Sequence, residues 1–191
     1  MTKSIMLVGV GGQGTILASK LLTIGLMQEG YDVKMSEIHG MSQRGGSVSS
    51  QIRYSKDKVY SPVIEIGGAD MIVSFEKVEA LRYLKYLKEG GIIVANNYKM
   101  ESVATTTGKA EYKVAEVDEK LKELHAKVIN AADKAVELGN AKVMNIILLG
   151  TVIKGMHLED IDWEQIITDN VKEKFVDINI KALHEGMALV S

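Results

Sequence analysis

The spacing of apolar and polar positions changes several times along the chain, and each change marks an element. Residues 5 to 10 (IMLVGV) are a continuous apolar run closing in glycine, the pattern of a strand covered on both faces. The next segment, TILASKLLTIGLMQEG, carries apolar residues at helical spacing from Thr15 and stops at Gly30. A second strand is predicted over Asp32 to Ile38, followed by a polar, glycine-bearing loop from His39 to Gly46. Ser47 to Tyr54 alternates and is rich in β-branched residues, so it is expected to pair with KVYSP through a turn at Lys56 and Asp57. MIVSF at 71 to 75 reads as a short buried strand. Glu76 to Lys88, with apolar residues at 78, 81, 84 and 87, reads as an amphipathic helix ending at Gly90 and Gly91. IIVANN at 92 to 97 is the next buried strand.

The second half is less punctuated. Strands are expected near Tyr112 to Ala115 and near Lys127 to Asn130, on either side of a charged, solvated helix, EVDEKLKELHA. Ala131 to Leu138 is a short helix stopped by Gly139 and Asn140. Lys142 to Lys154 is apolar on nearly every side, which suits either a buried helix or one side of a subunit contact. Two closing helices follow, about Trp163 to Lys172 and Phe175 to Leu189. The order β, α, β, hairpin, β, α, β predicts a three-layer α/β/α sandwich with a mixed sheet and a Rossmann-like first βαβ unit. No internal repeat or linker divides the chain, so residues 1–191 are expected to form a single domain.

Composition narrows the function. A net charge of −2 with dispersed lysines leaves no basic footprint, which argues against nucleic acid and anionic membrane as partners. Zero cysteines exclude disulfides and any iron–sulfur cluster held by this chain's own thiolates. The four histidines lie far apart without ligand spacing, so no metal site is expected. No apolar run reaches the roughly 18 residues of a membrane span, and the chain is expected to be cytoplasmic.

The candidate chemistry sits where the first strand meets the first helix. Gly9, Gly11 and Gly14 satisfy G-x-G-x-x-G, a turn that lets backbone approach a ligand and aims helix N-terminal amides at an anion. The same turn can also serve packing alone. Glu37 follows at close to the roughly 20 residues at which a dinucleotide site places its ribose-binding acid; pairing with Arg44 is its other reading. Arg44 is able to grip phosphate or carboxylate through two parallel bonds, or to serve as an ordinary surface ion pair. Gln13 can meet a ligand or cap the helix, and His39 can bond a carboxylate or stay a polar loop residue.

VGVGGQGTILASKLL together with SEIHGMSQRGGSVSSQIR resembles the gamma-type subunit or domain of the 2-oxoacid:ferredoxin oxidoreductases, most closely the indolepyruvate type. The likeness continues through GADMIVSFEKVEALRYL, GGIIVANN, ELGNAKVMNIILLG and DINIKALHEGM, and so covers nearly the whole chain. The resemblance implies a complex that oxidatively decarboxylates a 2-oxoacid on thiamine diphosphate and Mg, passes electrons through [4Fe-4S] clusters to ferredoxin, and delivers the acyl group to coenzyme A. This chain has no cysteine for a cluster, and no GDG upstream of Asn96-Asn97 to open a diphosphate motif. The resemblance therefore implies a noncatalytic small subunit that binds a large catalytic subunit; separately, the apolar surface of Lys142 to Lys154 and of the closing helix predicts that the chain forms a homodimer or binds a larger subunit. The 2-oxoacid stays open among aryl pyruvates, pyruvate, 2-oxoglutarate and branched-chain acids, and a free-standing nucleotide-binding module is the remaining alternative. Coenzyme A would meet Gly9, Gly11, Gly12, Gln13 and Gly14 on one side of a cleft and Ser42, Gln43 and Arg44 on the other.

Overall fold

A computed structural model describes residues 1–40, 45–100 and 113–190. Its centre is a six-stranded sheet in the order β2-β3-β1-β4-β5-β6. The strands are β1 (Lys3–Val10), β2 (Asp32–His39), β3 (Ser47–Ser55), β4 (Ala69–Ser74), β5 (Leu87–Asn96) and β6 (Lys127–Ile129). β1, β4, β5 and β6 pair in parallel, whereas β3 runs antiparallel to both β1 and β2. The period of two in β1 explains its unbroken apolar run: Ile5 and Leu7 enter one core, Met6 and Val8 the other.

Helices cover both faces, giving the expected three layers. On one face lie α1 (Thr15–Gln28), α4 (Ala131–Glu137), α5 (Met144–Gly155), α6 (Trp163–Asn170) and α7 (Val176–Ala188); on the other lie α2 (Lys77–Arg82) and α3 (Val114–Glu123). α1 carries the chain from β1 to β2 as in a Rossmann crossover, but β3 is inserted between those two strands.

Four expectations change. β3 does not pair with KVYSP; its partners are β1 and β2, so the hairpin is β2–β3. The segment after β3 lies across the sheet face on side-chain bonds instead: Asp32 accepts from the Val59 N–H at 2.8 Å, Gln51 from Ile64 at 2.7 Å, and Arg53 donates to the Val63 carbonyl at 3.1 Å. The helix expected from 76 to 88 closes at Arg82, passes through a 3₁₀ turn at Leu84–Tyr86, and gives way to β5 at Leu87. Gly90 and Gly91 are thus not a helix stop but part of β5, where Gly90 at φ 73° lies within the register shift against β4. Of the strand expected near 112–115, Tyr112 lies outside the described residues, and Val114 and Ala115 open α3.

α5 answers the question its all-round apolarity posed. Met144 through Ile153 are buried, and the helix packs on α7 and α1 within the chain, so its apolar surface is consumed internally. The α5–α7 crossing depends on glycine at Gly150 and Gly186: a Cβ on Gly186 would stand 1.9 Å from the Ile147 carbonyl oxygen, and one on Gly150 2.4 Å from that of Leu183.

Candidate functional site

The glycine turn lies at the C-terminal end of β1, between Gly46 and a cleft of about 1000 Å³. Gly9 is small because the turn closes on it: a Cβ would meet Gln13 Oε1 at 2.7 Å and the Phe75 Cβ at 2.9 Å. Gly12 and Gly14 hold φ of 100° and 84°, a left-handed backbone that favours glycine. Gly12 is exposed and a Cβ there would meet open space, so an alanine would strain the turn without probing contact. The Gly11 amide donates to the Gly46 carbonyl at 2.9 Å, which fastens the turn to the end of the neighbouring loop.

Gln13 closes the turn from within. Its Oε1 accepts from the Val10 N–H at 2.7 Å and its Nε2 donates to the Phe75 carbonyl at 3.1 Å, so both ends of the side chain are engaged in the turn and it does not cap α1. Glu37 accepts from Ser19 Oγ at 3.1 Å and lies 3.7 Å from His39 Nε2 at the end of β2. With β3 inserted, β2 stands two strand spacings, roughly 10 Å, from β1, which removes Glu37 from the ribose position of a dinucleotide site. Ser42, Gln43 and Arg44 lie outside the described residues.

The cleft gathers segments remote in sequence at the C-terminal ends of β1 and β5, where open α/β sheets bind their ligands. Gly12, Gln13, Gly14 and Leu17 form one wall; Tyr98, Met100, Asn140, Lys142, Asn145, Lys172, Phe175 and Asn179 contribute to the others. α1 begins here without a side-chain cap among the described residues and without an acidic residue in its first turn, whereas α5 continues a 3₁₀ turn, Ala141–Val143, that Asn140 caps by accepting from the Lys142 N–H at 3.0 Å. The first N–H groups and the dipole of α1 favour an electron-rich ligand group. Asn145, buried at 6% exposure, donates through Nδ2 to the Gly14 carbonyl at 3.3 Å. A Cβ on Gly14 would meet that Nδ2 at 2.7 Å. Sequence reasoning found the glycine side of the cleft and missed the asparagines, which come from separate segments and share no local pattern.

Among the described residues no group of three His, Asp or Glu side chains could hold a metal ion, and no helix is long and apolar enough to cross a membrane. The chain has no thiolate, so a cysteine-ligated iron–sulfur cluster does not fit it.

The sheet order and the glycine turn belong to a known class. The family described as pyruvate ferredoxin/flavodoxin oxidoreductase matches residues 4–189. The IorB subunit of indolepyruvate oxidoreductase from Pyrococcus horikoshii is 38% identical over 190 residues, covering 96% of this chain and 94% of that one. The keto/oxoacid ferredoxin oxidoreductase gamma subunit of Geobacter sulfurreducens shares the fold with a TM-score of 0.71 at 21% identity, over 98% of each chain. The 2-oxoglutarate:ferredoxin oxidoreductase of Magnetococcus marinus, solved with 2-oxoglutarate, coenzyme A and succinyl-CoA bound, aligns with a TM-score of 0.74 at 18% identity over 99% of this chain and 31% of its own. The chain belongs to the pyruvate ferredoxin/flavodoxin oxidoreductase family, and within it to the IorB-like small subunits.

Proposed function

We propose that this chain is the noncatalytic small subunit of a cytoplasmic indolepyruvate-type ferredoxin oxidoreductase. The large catalytic subunit holds thiamine diphosphate, Mg and the [4Fe-4S] clusters. The assembled enzyme decarboxylates an aryl 2-oxoacid, sends the electron pair to ferredoxin and releases the aryl-acetyl group as its coenzyme A thioester. The observation that carries this reading is the match to an indolepyruvate oxidoreductase subunit over 94% of that subunit's length, in a chain with no cysteine to hold a cluster.

The role of this chain in the reaction is to receive coenzyme A. The diphosphate lies over the exposed Gly12, facing the turn amides that the protein leaves open, with Ser42, Gln43 and Arg44 supplying donors from the neighbouring loop. Gly9, Gly11 and Gln13 act by holding the turn's shape, since the Gly11 amide and both ends of the Gln13 side chain are already bonded. Supporting this is the position of the turn at the cleft, with Gly12 exposed and no neighbour within 4 Å of where its Cβ would stand.

Anaerobic copurification tests the assembly. The chain is expected to bring down a larger subunit containing iron and thiamine diphosphate, and the complex to favour aryl pyruvates over pyruvate, 2-oxoglutarate and branched-chain acids. Alone it is expected to be colourless and inactive. Stoichiometric iron–sulfur absorption or 2-oxoacid oxidation by the single chain overturns the reading.

A further inference from the structure

We infer that Asn145 and the first turn of α1 form a subsite for a neutral amide of the ligand, and that this amide belongs to the pantetheine arm of coenzyme A. The inference rests on the coenzyme A assignment above and specifies which part of the molecule enters the cleft. Asn145 is buried at 6% exposure and lines the cleft, yet only half of its carboxamide is used. Nδ2 donates to the Gly14 carbonyl at 3.3 Å, and Oδ1 has no hydrogen-bond partner among the described residues. That oxygen faces the cleft, where a ligand that displaces solvent must supply it with a donor or leave it unsatisfied.

The orientation of that side chain is dictated by Gly14. Turning it over would set Oδ1 against the Gly14 carbonyl, two acceptors face to face, so Oδ1 is held toward the cleft. Beside it, α1 starts on a left-handed Gly14 with no side-chain cap among the described residues, leaving N–H donors at the same point. A ligand group lodged here must therefore accept from the helix and donate to Oδ1, and a secondary amide does both. A phosphate does not: it brings only acceptors at neutral pH, and Oδ1 lone pairs would oppose it. The cations of the cleft, Lys142 and Lys172, are exposed and lie at the rim, which leaves charge outside and the uncharged arm within. Leu17, Val143 and Met144 supply apolar wall for its methylenes.

The edge of adenine also combines a donor with an acceptor, so the experiment separates the two halves of coenzyme A. Binding of coenzyme A and of ADP is measured by calorimetry on the purified complex of wild type, Asn145→Ala and Asn145→Leu. Coenzyme A affinity is expected to fall roughly three- to tenfold in both variants, the range for one lost hydrogen bond, while ADP affinity stays within twofold. Unchanged ADP binding also demonstrates that the glycine turn survives loss of the Gly14 contact. A parallel fall in ADP affinity would assign Asn145 to the nucleotide and overturn the inference, as would wild-type coenzyme A affinity in both variants. Failure of the wild-type complex to bind coenzyme A at all would instead remove the assignment on which the inference stands.

Discussion

The amide of Gly11 donates to the carbonyl of Gly46 at 2.9 Å, so the glycine turn and the far end of the 39–46 loop are one mechanical unit. The next residue, Ser47, extends the connection by donating from Oγ to the buried carboxylate of Glu79, which also accepts from Arg82 Nε at 3.0 Å. Shape in the turn is thereby set from α2, on the opposite face of the sheet from the cleft.

That connection predicts a structural cost at a residue away from the ligand. Glu79→Ala leaves Arg82 without its acceptor and Ser47 with only the Tyr83 hydroxyl at 3.1 Å, and is expected to destabilise the chain by about 1 to 3 kcal/mol, read as a lower midpoint in urea unfolding. An unchanged midpoint would mean that the Ser47 contact does not constrain the loop.

Gln13 is expected to behave as a structural residue despite lying inside the glycine motif. Gln13→Ala strands the Val10 N–H and leaves the Phe75 carbonyl with Asn96 Nδ2 alone, at 3.3 Å, with an expected loss of about 2 kcal/mol. Gln13→Glu keeps the acceptor for Val10 but faces Phe75 with a second acceptor, so it is expected to recover little. Urea unfolding of both variants beside coenzyme A titration decides the matter: lost affinity at full stability would make Gln13 a ligand contact.

The layers, the mixed sheet and the turn were legible because their signals are local: a buried strand shows as an unbroken apolar run, and three glycines precede a helical period. Leu84 and Leu87 misled because their spacing extends a helical pattern begun by Val78 and Leu81. In the fold, Tyr83 ends that helix and Gly90 lies in the register shift of the strand that follows. KVYSP looked like a hairpin partner because side-chain bonding to Asp32, Gln51 and Arg53 leaves no periodic trace. The far walls of the cleft were illegible for a related reason, since Asn145 reaches Gly14 across 131 positions of sequence.

The α5–α7 crossing gives the largest expected stability effect. Gly186→Ala places a methyl 1.9 Å from the Ile147 carbonyl oxygen, a backbone atom that cannot swing aside. The helices must separate, at an expected cost of about 3 kcal/mol, the upper part of the overpacking range. Gly139→Ala meets no neighbour within 4 Å but sits at φ 93°, so it is expected to cost less, about 1 kcal/mol of backbone strain. Thermal unfolding of the two variants compares them directly; equal midpoints would contradict the close crossing.

Alkaline pH is expected to expose Tyr54. Burial pushes its phenol well above the ordinary tyrosine range, with Tyr31, edge-on at 5.2 Å, and Asp70 adding to the effect. The ionised form is disfavoured only in the folded chain, so the stability linked to this group is complete below about pH 10. Above that it declines, as the unfolded chain sheds a proton that the folded chain retains. Tyr54→Phe is expected to flatten this decline, seen by comparing unfolding free energies of the two proteins at about pH 9 and pH 11. Parallel pH curves would contradict it.

The central claim, that the glycine turn and its neighbouring loop receive coenzyme A, is tested most directly through Arg44 in the assembled complex. Two quantities are measured: the dissociation constant for coenzyme A, and the rate of 2-oxoacid decarboxylation in its absence. Arg44→Ala is expected to weaken coenzyme A by about 1.5 to 3 kcal/mol, roughly ten- to more than a hundredfold, with Arg44→Lys recovering part and the coenzyme-free rate staying near wild type. Wild-type coenzyme A affinity in the assembled Arg44→Ala complex would contradict the assignment, and failure of the variant to assemble with the large subunit would make the loop an interface instead.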